Sequence, residues 1–181
     1  MGSNRIVVRL DQLGDIVGGA TPSTKNPAFW GGDISWLSPK DLTGYRFRYI
    51  SRGEKSITKE GFDSCSTQML PVGSVLFSSR APIGYCAIAE NPICTNQGFK
   101  SIVPKEGVDS EFLYYLLCAN RDLIAGAGSG TTFPEVSGRA MRQVEVVIPE
   151  DSGECIVIAR ILGAIDEKIE SNIRANDYLA V

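Results

Sequence analysis

Glu154–Leu179 reads ECIVIARILGAIDEKIESNIRANDYL, and in it Ile158, Leu162, Ile165, Ile169, Asn172, Asn176 and Leu179 recur at alternating spacings of four and three. That is a heptad seam, the period at which one stripe of a helix stays turned toward a partner helix. Asparagine in such a seam costs stability but restricts register and partner number. The other reading of the same pattern is an amphipathic helix lying on its own domain. Either way the chain divides into a globular part, 1–152, and the start of a spacer or dimerisation helix, 153–181.

Upstream of this helix the periodicity changes. Short apolar runs at Ile6–Leu10, Ile34–Leu37, Ser74–Ser79, Tyr85–Ala89, Phe99–Val103 and Val144–Ile148 have strand length and are bounded by Gly, Pro, Asn and Ser. Tyr45, Phe47 and Tyr49 alternate with Arg46 and Arg48, which predicts a strand with a basic face within Thr43–Ile57. Ser110 precedes the run EFLYYLL as an N-cap, predicting a helix to about Ile124 that Gly126–Gly130 breaks. Thr132–Glu135 fits a capping box and predicts a short helical turn. Strands and helices mixed in this order imply an α+β fold: an irregular curved sheet with flanking helices, plus a C-terminal helix of coiled-coil type.

The chain has 181 residues, enough to bury a core without disulfides or metal. It contains no histidine, which removes the usual nucleophilic triads. Its five cysteines (Cys65, Cys86, Cys94, Cys118, Cys155) include no CxxC pair, so the expectation is free thiols in a reducing cytoplasm and no metal site. No apolar run is long enough for a membrane span, and the N-terminus lacks a signal-peptide core. The net charge of −3 is unevenly placed: residues 21–105 carry ten basic and six acidic side chains, residues 106–181 six and thirteen. A basic part suited to phosphate thus precedes an acidic part suited to a protein partner.

The glycine-rich stretch GAGSGTT (126–132) lacks the Gly-Lys-Ser/Thr ending of a P-loop and follows a helix, whereas a dinucleotide loop follows a strand. No cofactor is expected on this chain. Glu90-Asn91-Pro92-Ile93 misses the second proline and the aromatic of a base-methylating motif, so any such chemistry must lie elsewhere. Arginine forks match guanine edges and asparagine or glutamine amides match adenine, which makes the Tyr45–Lys59 stretch and Asn96-Gln97 candidates for base contact. Asparagine and glutamine also commonly satisfy loop backbone.

Seven segments in order carry a resemblance: GGATPS (18–23), FWGGDISW (29–36), SPKDL (38–42), SSRAPIGY (78–85), TNQGFK (95–100), FLYYLL (112–117) and GSGTTF (128–133). Together, from about Leu13 to Ala175, they resemble the target-recognition domain of type I restriction-modification specificity subunits, bacterial or archaeal proteins. The resemblance implies sequence-specific binding of double-stranded DNA without catalysis. It implies methyltransferase (modification) subunits and a restriction subunit as partners, with two recognition domains joined by paired helices. The segment PEDSGE (149–154) departs from the proline-rich, Glu-Gln-containing entry usual before the family's helix.

The expected DNA-binding residues are Lys25, Lys40, Tyr45, Arg46, Arg48, Arg52, Lys55, Arg80, Asn96, Gln97, Lys100, Thr131 and Thr132. Motifs shared by members that read different sequences cannot encode which sequence is read. Arg80, Asn96, Lys100 and Thr131 are therefore expected to hold the fold or the phosphates, and Tyr45–Lys59 to supply base readers. Self-association through Ile158, Leu162, Ile165, Ile169, Asn172, Asn176 and Leu179, or pairing with a second half, is the expectation for the helix. The rival readings are a protein-interaction module without DNA specificity and a small hydrolase or transferase with an unconventional site.

Overall fold

Val75–Ser79 is buried at every position, because it lies in the middle of a sheet covered on both faces. The computed structural model describes residues 4–80, 82–130 and 134–179. Its strands are β1 (Arg5–Arg9), β2 (Gly14–Gly18), β3 (Trp30–Leu37), β4 (Tyr49–Ile50), β5 (Lys55–Ile57), β6 (Val75–Ser79), β7 (Ile83–Ala89), β8 (Cys94–Thr95), β9 (Lys100–Pro104) and β10 (Glu145–Pro149). The helices are α1 (Leu10–Leu13), α2 (Lys59–Asp63), α3 (Ser110–Ala119), α4 (Arg121–Gly126), α5 (Gly138–Gln143) and α6 (Ser152–Leu179).

The fold is α+β, and its irregular sheet is divided in three. Five strands in the order β2-β9-β6-β7-β4 form the centre, antiparallel except for the β4–β7 pair. β1 and β10 make a separate antiparallel ribbon, and β5-β3-β8 a third sheet. One core cluster joins Leu10, Phe77, Ile102, Leu113, Leu117 and Ile124 beneath α3, α4 and α6, and a second gathers Leu37, Leu70, Leu76, Ile93 and Phe99. A third, of Trp36, Ile57 and Cys94, underlies the β5-β3-β8 sheet.

Two expectations change. Thr43–Ile57 is not one strand: residues 43–48 are irregular, and only Tyr49–Ile50 and Lys55–Ile57 pair. The alternation there arises from packing against α6. The helix expected after Ser110 is capped instead by Asp109, whose carboxylate accepts from the Phe112 amide at 2.8 Å, and it breaks at Asn120 into α3 and α4. The turn expected at Thr132–Glu135 begins on residues outside those described; Ser137 instead caps α5.

Candidate nucleic-acid interface

The β3–β5 pair and the turn leading into β5 carry Lys55 and Arg52, both exposed. Gly31 adopts φ +82°, and the register slips between Trp30 and Ile34. A Cβ on Gly32 would lie 2.5 Å from Thr58 Cα, so only glycine allows this close crossing. The irregularity opens a polar hollow of about 570 Å³ lined by Asp33, Ser35, Arg52, Glu54, Lys55 and Ser56. A neighbouring hollow of about 400 Å³ is lined by Thr24, Trp30, Gly31, Glu54, Lys55 and Ser56, so Lys55 borders both. Lys55 Nζ stands 5.5 Å from the centroid of the Trp30 ring, which meets Trp36 edge-on at 5.1 Å. The two indoles are fixed by their N–H groups, donating to the carbonyls of Ser23 and Ala20.

Arg52 is exposed and makes no ion pair among the described residues. Lys25 is exposed just ahead of the 3₁₀ turn Pro27–Phe29. Lys40 pairs with Glu54 at 3.3 Å, both largely exposed. Such a surface pair is worth about 0–1 kcal/mol, so it yields readily to a phosphate. Cations around an open, irregular edge, with an aromatic floor, can hold a phosphate backbone and present an arginine fork to a base edge.

The shared motif segments converge on a junction behind this face. Asn96 Oδ1 accepts from the Gly98 amide at 2.8 Å, an Asx turn that brings Gly98 against Pro39 and Ser79. Thr21 donates from its hydroxyl to Gln97 Oε1 at 2.5 Å. Lys100 Nζ donates to the Gln97 carbonyl at 3.3 Å and to Glu135 Oε1 at 3.4 Å, while Arg80 lies 3.7 Å from Glu135 Oε2. Asn96 thus shapes the backbone, and Arg80 and Lys100 both engage Glu135. Thr131 and Thr132 lie outside the described residues.

The aromatic-basic run takes a different place. Arg48, expected on a basic face, has its side chain only 4% exposed and surrounded by carboxylates. Its Nη1 donates to Glu111 Oε1 at 2.9 Å, its backbone N–H and Nε donate to Glu170 Oε1 at 2.8 and 3.4 Å, and its Nη2 lies 3.7 Å from Glu167 Oε1. Burial works against the charge, but Tyr115, Glu111 and Glu170 outweigh it and hold the guanidinium above its ordinary pKa. Arg46 is exposed 3.6 Å from Asp177, Arg174 stacks over Phe47 at 5.2 Å, and the Tyr45 hydroxyl donates to the Tyr49 carbonyl. Arg48 is therefore engaged with α3 and α6, and its buried side chain is not presented to a base. The sequence offered one overlooked signal: Ala159, Gly163, Glu167, Glu170 and Arg174 form a second stripe on α6, small at one end and charged at the other.

That stripe divides α6. Cys155, Ala159 and Gly163 are buried against the domain, whereas Leu162, Ile165, Ile169, Asn172, Asn176 and Leu179 of the heptad seam are exposed and Ile158 half-buried. From Leu162 onward the seam lies on a different side of the helix from its attachment.

Comparison with known families is decisive at this point. The model described as "Type I restriction modification DNA specificity domain" matches residues 3–177. The chain belongs to this family. The specificity domain is 45% identical over 175 residues to the type I restriction enzyme MjaIX specificity subunit of Methanocaldococcus jannaschii, covering 96% of this chain and 40% of that protein. It is 25% identical over 167 residues to the HindI specificity subunit of Haemophilus influenzae, covering 91% and 36%. Among solved structures, a chain from a study of complex assembly and conformational transition in the type I R-M system superposes with TM-score 0.73 at 22% identity, over 99% of this chain and 42% of the other. The HsdS subunit of Thermoanaerobacter tengcongensis gives TM-score 0.69 at 19% identity, over 97% and 40%. The specificity domain thus spans about 40% of the length of these relatives. Its family is one of DNA specificity.

Proposed function

We propose that this chain reads one half of a two-part duplex DNA site, with Arg52 and Lys55 at the centre of the reading face. The observation that carries this is the pair of hollows that share Lys55, one of them also lined by exposed Arg52, in a chain of a DNA specificity family. Lys25 and Lys40 take phosphates, and Gln97, exposed beside Thr21, joins them. Thr131 and Thr132 complete the proposed contacts. Arg80, Asn96 and Lys100 act by holding Glu135 and the Asn96–Gly98 turn in place.

The reading assigns 1–152 to DNA and 153–181 to a spacer helix that begins with α6 at Ser152. Its exposed seam pairs with the corresponding helix of a second recognition domain, on a second copy or within a longer chain. Methyltransferase and restriction subunits supply the chemistry in the cytoplasm. No helix among the described residues is long and apolar enough to cross a membrane. The test is selection of bound duplexes from a randomised library at low and moderate salt. Recovery of a short shared sequence that Arg52→Ala relaxes supports the reading. Failure to enrich any sequence, with or without modification subunits, overturns it.

A further inference from the structure

We infer that Arg48 and the glutamates around it form a clamp that fixes the direction in which α6 leaves the domain, and with it the separation of the two halves of the DNA site. The second clause rests on the two-part reading above; the first does not.

The Tyr45–Tyr49 segment is a strap laid along α6. Arg48 meets the helix at Glu167 and Glu170, Phe47 at Arg174, and Arg46 at Asp177. At the near end Gly163 allows the closest approach: a Cβ there would stand 3.0 Å from Arg48 Nη1 and 3.1 Å from Glu111 Oε2. From Gly163 to Asp177 these contacts run along about 21 Å of helix. The far side of the clamp is α3, which contributes Glu111 to Arg48 and, through the Tyr115 hydroxyl, a 2.8 Å bond to Asp166 of α6. Tyr49 donates to the same Glu111 oxygen at 2.7 Å. One buried cation thus joins a loop, α3 and α6. Without it Glu111, Glu167 and Glu170 face one another with no charge between them, and repulsion drives α6 away from α3.

The leverage is large. A helix of 28 residues, the length of α6, is about 42 Å long. A change of about 10° at its base moves its end by about 7 Å, or two base-pair rises of about 3.4 Å. A ruler between half-sites has to be held more tightly than that, and the apolar contacts of Cys155 and Ala159 lie only at its base.

The test is the distance distribution between spin labels carried by non-natural residues at Asp122 on α4 and Ser171 on α6, measured on the full chain by pulsed dipolar resonance. The unsubstituted chain is expected to give one narrow distance. Arg48→Met and, separately, Glu170→Ala are expected to broaden or shift it, while Lys168→Gln, at an exposed α6 position outside these contacts, leaves it unchanged. Melting curves identify folded variants, and if Arg48→Met does not fold, Glu170→Ala decides. A narrow, unmoved distance in the folded variants overturns the clamp. Library selection with the same variants reads the consequence: the same half-site bases should return with a wider range of spacings. A change in the bases themselves would make Arg48 a reader and overturn the inference. An unsubstituted chain that selects no two-part site overturns the DNA reading alone, and the distance measurement still judges the clamp.

Discussion

Gly19 lies so close to Thr95 that a Cβ on the glycine would stand 2.1 Å from the Thr95 carbonyl oxygen and 2.3 Å from that of Asn96. Both obstacles are backbone, held by the Ala20-to-Thr95 and Asn96-to-Leu37 hydrogen bonds, so neither can step aside. Gly19→Ala should therefore destabilise the domain by about 2–3 kcal/mol through overpacking. Gly126→Ala is the control: nothing lies within 4 Å of its Cβ, and in α4 alanine should stabilise by about 0.5–1 kcal/mol. Urea denaturation of the two variants gives opposite shifts in midpoint if this is right.

Buried and exposed ion pairs should separate clearly in stability. Removing one partner of a buried pair leaves the others unpaired and costs about 3–5 kcal/mol. Glu111 and Glu167 keep contact with water, which reduces the figure, so Arg48→Ala is expected to cost about 2–3 kcal/mol. Lys40→Ala, whose pair with Glu54 is solvent-exposed, should cost under about 0.5 kcal/mol. Equal losses in denaturant titrations would contradict the burial assigned to Arg48.

The parts of this fold legible from sequence are those whose pattern is local. β6, β7, β9 and β10 are apolar runs bounded by turn residues, and α6 declares itself by period. β2 escapes because two of its five residues are glycine and it is secured by backbone pairing with β9, which leaves no pattern. The split into three sheets depends on the bulge between Trp30 and Ile34, a consequence of chain crossing at Gly32 that composition does not signal. Arg48 is the sharpest case. Its alternation with aromatics matched a basic strand face, but its partners stand 63 and 122 residues away on other elements, so nothing nearby distinguishes a buried clamp from a surface contact. Asn96 was readable both ways, and the 2.8 Å bond to the Gly98 amide favours the backbone role.

The thiols should differ in reactivity in an order set by their surroundings. The Cys118 pKa is lowered, first by its hydrogen bond with Cys86 and then by Tyr114, against the effect of burial. Burial pushes Cys94 up to about 11. At pH 8 a thiol of that pKa is about one part in a thousand thiolate, and thiolate is the species that reacts. Iodoacetamide followed by peptide mass spectrometry should label Cys118 first and Cys94 far more slowly, with the Cys118 rate levelling off at lower pH. Comparable rates at the two sites would contradict the assignment.

If Arg52 and Lys55 meet phosphate or bases, they contribute to the salt dependence of duplex binding. Each phosphate neutralised adds about 0.9 to the slope of log affinity against log salt. Arg52→Ala and Lys55→Ala should each lower that slope by up to about one, whereas Arg48→Met should leave it unchanged in folded protein because its guanidinium is already neutralised internally. Fluorescence anisotropy across a salt series measures all three. An unchanged slope for both surface variants would remove the β3–β5 hollows from the interface.

The seam makes the last prediction, and it turns on the separation of stability from association. Ile165 and Ile169 are 54% and 48% exposed, so the folded monomer gains little from either and Ile165→Glu should change unfolding by under about 1 kcal/mol. In a paired helix the same residues are knobs buried by the partner, and a carboxylate there is excluded. The seam asparagines limit how the partners align, so Asn172→Leu should tighten pairing while admitting other registers or numbers of strands. Sedimentation velocity over a range of concentrations is expected to show reversible association for the unsubstituted chain, loss of it in Ile165→Glu, and larger or mixed species in Asn172→Leu. A chain that stays monomeric at every concentration would mean that a copy of itself is the wrong partner for this seam. Mixing it with a labelled spacer helix from a longer specificity subunit would then decide whether the stripe pairs with another recognition half.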